Sequence, residues 1–204
     1  KDKTNDTADY LSFKHHYITG AMDSEVLYMI LEAISEKRNI KVEMINRKKN
    51  RVNETNVVPL RIMLSVQSGR QYMMAYAPHF KRITAYRLDN IVTVKKGDIT
   101  DRFDELREKL NEMQQYMWGV ATDSRSGSRM EHIEFTVQYD DGEQHIPRRL
   151  EREKRIGKVE YIDEHTCRFL ADVYDASELI PWIRTFICRI TDISISNKFL
   201  EIQF

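Results

Sequence analysis

The chain has 204 residues, 41 % hydrophobic and 31 % charged, the composition of a globular protein of one large or two small domains. Its 32 Lys and Arg balance 32 Asp and Glu, so a general polyanion-binding surface is not expected. No apolar run approaches the roughly 18–20 residues of a membrane span, and no signal-peptide core opens the chain. The two cysteines, Cys167 and Cys188, are too few for a disulfide framework or a structural zinc site, which fits a reducing, cytoplasmic setting with no membrane.

Residues 1–22 are mostly polar and predict a linker. Val26, Leu27, Ile30, Leu31 and Ile34 recur at helical spacing and predict a helix over 23–37, capped by Asp23 or Ser24. Strands are expected over 40–45, 56–66, 70–77, 83–88 and 91–95, with polar turns at 47–50, 67–69 and 78–81. Five short strands with one helix predict a small SH3-like β-barrel. A helix over 101–118 then bridges to a Ser/Gly-rich loop at 123–128. Beyond it the order is strand 132–139, helix 144–153, strands 158–162 and 166–173, helix 177–186 and strand 193–196, with a terminal strand at 199–204. The first six of these elements follow a ferredoxin-like order. The fold class is therefore α+β: a barrel with an N-terminal helix over 23–100, a bridge over 101–128, and a ferredoxin-like α/β domain over 129–204. Charge divides along the same line. Residues 20–100 carry 14 Lys and Arg against 8 Asp and Glu, net +6, and residues 101–204 carry 15 against 21, net −6.

The barrel segment holds the candidate site. In a strand, alternate residues share a face, so Tyr72, Met74 and Tyr76 point one way while Met73 and Ala75 point the other. Arg61, Arg70, Arg82 and Arg87 fall within 27 positions whose only nearby acid is Asp89, with Tyr72, Tyr76, His79 and Tyr86 among them. Guanidinium groups pair with phosphate and aromatic faces stack on bases, so these eight residues are candidate ligand contacts for an anionic, base-bearing molecule. The plainer alternatives are that Arg87 pairs with Asp89 and that the tyrosines fill the joint between barrel and helix. The basic run at 47–51 reads as a solvated hairpin tip. Trp182, after Pro181, reads as core or dimer interface. His15 and His16 lack the spacing of a metal pair, and no metal or cofactor is expected. GxGxxG, GxxxxGK, HExxH and GxSxG are all missing, so no catalytic residue is assigned and no enzyme is expected.

Pro59-Leu60-Arg61, Gln71-Tyr72-Met73 after Gly69-Arg70, and Tyr86-Arg87-Leu88-Asp89-Asn90-Ile91 occur in an order and spacing that resembles the WYL domain, a ligand-sensing module of bacterial transcriptional regulators. Gln71 and Asn90 depart from that pattern, where an indole and a cation are usual. The ferredoxin-like half resembles the C-terminal WCX-type extension of such regulators, and residues 13–18 resemble the segment that joins them to an upstream helix-turn-helix domain. The resemblance implies a sensing and dimerising region that binds single-stranded nucleic acid or a nucleotide. It also implies a homodimer, and promoter DNA bound through a domain upstream of this chain. The alternatives are a protein-interaction module without a small ligand and an accessory nucleic-acid-binding protein.

Overall fold

The computed structural model describes residues 25–46, 51–65, 69–124 and 130–201. The expected linker with His15 and His16, the caps at Asp23 and Ser24, the 47–50 turn and most of the 123–128 loop lie outside them. The chain divides between Glu108 and Lys109 into two compact units.

The first unit opens with α1, Glu25–Ser35. Ile30 and Ala33 are fully buried, with Val26, Leu27 and Ile34 packed around them. Leu31, expected inside, is 49 % exposed: it lies at the edge of the stripe, and the small Ala33 takes the place against the sheet. Lys37, in the left-handed region at φ 54°, ends the helix. Strands β1 (Arg38–Asn46), β2 (Arg51–Leu64), β3 (Gln71–Ala77), β4 (Arg82–Arg87) and β5 (Ile91–Ile99) form an antiparallel sheet of order β4-β3-β2-β1-β5. A single 3-10 turn, Leu88–Asn90, links β4 to β5. This is the SH3-like order, but the two edge strands do not pair, so the barrel is not closed. Gly69, at φ 65°, supplies the positive dihedral that the β2–β3 hairpin needs, and its N–H donates to the Ser65 carbonyl at 2.6 Å. The core comprises Ile30, Ile40, Val42, Val57, Met73, Ala75, Leu88 and neighbours, between α1 and one sheet face. Burying each large aliphatic side chain contributes about 1.5–3 kcal/mol.

Helix α2, Phe103–Gln114, carries the chain across the division. The second unit follows with β6 (Glu131–Gln138), α3 (His145–Glu153), β7 (Lys158–Asp163), β8 (Thr166–Val173), the short α4 (Ile180–Ile183), β9 (Ile190–Ile195) and one helical turn, α5 (Lys198–Glu201). Its sheet runs β7-β8-β6-β9, all antiparallel, which is the ferredoxin-like arrangement. Strict alternation along β6 puts Ile133, Phe135 and Val137 into an apolar core and leaves His132, Glu134 and Thr136 on the other face.

Two expected elements differ in kind. The continuous helix over 177–186 is a 3-10 turn (Ala176–Glu178), α4 and a second 3-10 turn (Arg184–Phe186). Pro181 accounts for the first break: it has no N–H to donate, and its ring obstructs the carbonyl four residues earlier, so the α-helix starts only beside it. Of the expected terminal strand at 199–204, residues 199–201 belong instead to α5, where Leu200 N–H donates to the Asn197 carbonyl at 2.9 Å, and residues 202–204 lie outside the described residues.

The two thiols differ in access. Burial pushes the Cys167 thiol up to about 11, whereas Cys188 is exposed. Alkylation of the native protein at neutral pH is therefore expected to modify Cys188 alone, and denaturation to release the second thiol, as counted by intact mass. Equal reaction of both in the native state would contradict the burial of Cys167.

Candidate ligand-binding surface

The site depends on β2. Its first half, to Val57, pairs with β1, and its second half, from Val58, pairs with β3, with an irregularity between Pro59 and Arg61. Proline cannot donate to a ladder, and such a bulge bends the strand and re-aims the side chains beyond it. The resulting register sets Met63, Tyr72 and Arg87 in one cross-strand row, Arg61, Met74 and Ala85 in the next, and Val58, Tyr76 and Ile83 in a third. Residues directly opposite on antiparallel strands share a face with Cβ atoms about 4.5–5.5 Å apart. Arg61, Tyr72, Tyr76 and Arg87 thus lie together on the sheet face opposite α1, each half-buried. Met74 and Ile83, at 0 and 2 % exposure, form an apolar floor between them.

The other four candidates are elsewhere. Tyr86 sits opposite Met73 on the core face and packs against the core; burial pushes its hydroxyl pKa up, with Arg82 pulling the other way. Arg82, opposite Ala77 on that same face, places its guanidinium 5.6 Å from the centre of the Phe80 ring. His79 meets Phe80 edge-on at 4.9 Å in the β3–β4 turn. Arg70 is exposed just before β3. Arg87 realises the plainer reading as well, because its Nε donates to Asp89 Oδ1 at 3.0 Å and its Nη2 to Asp89 Oδ2. Gln71 points inward from the start of β3, 6 % exposed, and its Oε1 has no hydrogen-bond partner.

Two clefts open on the same unit. One, of about 730 Å³, is lined by Met44, Asn53, Asn56, His79, Phe80 and Tyr86 among others. The second, of about 680 Å³, includes Tyr76, Lys95, Lys96, Arg102 and Leu106. They share Lys41, Asn56 and Pro78. Most cations along them are already paired: Lys41 with Glu54, Lys96 with Glu32 at 2.8 Å, and Arg102 with Glu105 at 2.7 Å. Asn53, Asn56 and Phe80, none of them a sequence candidate, come together along the first cleft only through the β1–β2 pairing and the β3–β4 turn. The adjacent aromatic rings of His79 and Phe80 are the one local signal in the sequence. Among the described residues, no group of three or more His, Cys, Asp or Glu is placed to hold a metal ion. No helix among them is long and apolar enough to cross a membrane.

Comparison with known proteins bears on the first unit most directly. Residues 25–96 match the family model described as the WYL domain. No curated protein matches the sequence. Among solved structures, the chain is similar to a CRISPR Cas-related protein at 14 % identity and TM-score 0.52, covering 91 % of this chain and 50 % of that one. It also matches proteasome accessory factor B/C (PafBC) of Arthrobacter aurescens at 15 % identity and TM-score 0.36, covering 86 % of this chain and 24 % of that one. The chain thus spans half or less of the length of either neighbour. The likeness to the CRISPR Cas-related protein is one of fold.

Proposed function

Residues 25–96 being a WYL domain, we propose that the chain is the effector-sensing and dimerisation region of a bacterial transcriptional regulator, whose first unit binds a nucleic-acid or nucleotide-like anion. The observation that supports this most is the register that gathers Arg61, Tyr72, Tyr76 and Arg87 on one sheet face. Guanidinium groups on that face engage phosphate, the phenol rings offer stacking or hydroxyl contacts, and the Met74 floor keeps the site partly dry. Arg70, exposed just before β3, adds to the local positive field. The ferredoxin-like unit pairs two copies, and effector binding shifts their arrangement, and with it that of DNA-binding domains carried upstream.

Fluorescence-anisotropy titrations with short single-stranded oligonucleotides and cyclic dinucleotides, at several salt concentrations, test the reading. Binding is expected at low salt. Asp89→Asn removes the carboxylate that holds Arg87 and is expected to tighten it. If no probe binds at low salt, the reading is wrong. The net charges of +6 and −6 in the two halves favour a second reading, in which the basic face docks a protein partner. Salt-dependent association of the chain with itself, unaffected by any of these ligands, is the result that reading expects.

A further inference from the structure

We infer that the cleft between β2 and the β3–β4 turn is a binding site of its own for a planar, hydrogen-bonding heteroaromatic group, a nucleobase or nucleoside, separate from the arginine-bearing sheet face. Its volume of about 730 Å³ suits a ligand of that size. Phe80 forms one wall and is 59 % exposed, so its ring is open to a ligand in the cleft. Arg82 backs the ring and His79 braces its edge, so the ring is held in place. Tyr86 and Met44 reach the same space from the core side of the sheet, and Tyr86 keeps its hydroxyl proton as a donor.

The polar groups favour a base over a phosphate. Asn53 and Asn56, both exposed, line the cleft. An amide presents a donor and an acceptor side by side, the pattern that matches the edge of a base. The cleft's lysine, Lys41, is neutralised by Glu54, leaving little net charge to draw an anion. Binding here is therefore expected to be nearly independent of salt, unlike binding at the arginine face.

The test uses 2-aminopurine riboside, a fluorescent nucleoside that carries no phosphate, titrated with the full chain. Saturable quenching insensitive to salt is expected, as the base stacks on Phe80. Phe80→Ala and Asn56→Ala, both at exposed positions and checked for folding by circular dichroism, are each expected to raise Kd about tenfold or more, and Arg61→Ala to leave it unchanged. Three results would overturn the proposal: no saturable quenching at millimolar nucleoside, quenching that survives both cleft substitutions, or quenching lost in Arg61→Ala. None depends on whether oligonucleotides bind the arginine face, so the two readings fail separately.

Discussion

Phe135→Ala is expected to lower the stability of the ferredoxin-like unit by about 3–5 kcal/mol. Phe135 occupies the middle of β6, a central strand, and is fully buried. Its ring centre lies 5.3 Å from Phe169, 5.8 Å from Trp182 and 6.4 Å from Phe186, and Trp118 closes the cluster at 4.8 Å from Trp182. Offset and edge-to-face pairs of this kind add about 0.5–1.5 kcal/mol each beyond area burial, and neighbours fixed by one another cannot collapse into the space left behind. Domains of this size are stable by about 5–15 kcal/mol, so the change removes a large share. Trp118 and Trp182, the chain's two tryptophans, both sit in this cluster, so tryptophan fluorescence during urea unfolding reports on this unit. Thr136→Ala, on the opposite face of the same strand, is the control and is expected to cost under about 1 kcal/mol. A Phe135→Ala midpoint shifted no further than the control would mean that the cluster is not the core of the unit.

Glu131→Ala is the second large effect, expected at about 3 kcal/mol or more. Glu131 is 1 % exposed, a rare position for a carboxylate. One oxygen accepts from Ser124 Oγ at 2.8 Å and Asn197 Nδ2 at 3.0 Å, and the other accepts from the backbone N–H of Ala176 at 2.8 Å. The side chain thereby ties together three segments far apart in sequence: the approach to β6, the turn after β8 and the turn after β9. Removing it strands a buried N–H with no acceptor, the costly side of hydrogen-bond exchange. Glu131→Gln keeps the shape but offers one acceptor oxygen and turns an N–H₂ toward another donor, so an intermediate loss is expected. Equal stability of Glu131→Gln and the unsubstituted protein would show that the charge is not needed.

Much of this architecture is legible in the residues, and the exceptions have physical causes. Strand β3 is predicted to within one residue because its alternation is clear. β2, which ends at Leu64, begins earlier than predicted, at Arg51, because Arg51–Glu54 has no apolar alternation to mark it; the ladder pairing Asn53 with Met44 and Glu54 with Glu43 holds those residues instead. The break at Pro181 is visible in the sequence but outweighed there by the apolar run around it. At the candidate site, the outward direction of Tyr72 and Tyr76 follows from their own strand. The inward direction of Tyr86 follows only from its register with Met73, which no local pattern specifies. The cleft beside Phe80 is less legible still, because its amides come from β2 and its aromatic wall from the β3–β4 turn.

The central claim, that Arg61 and its neighbours hold an anionic ligand, is tested most directly by the salt dependence of oligonucleotide binding to the unsubstituted chain and to Arg61→Ala. Each phosphate contact to a single strand contributes a slope of about −0.7 to log K against log salt. The account predicts that Arg61→Ala weakens binding about tenfold or more at low salt and makes the slope shallower by about 0.7. Unchanged affinity and an unchanged slope would contradict it.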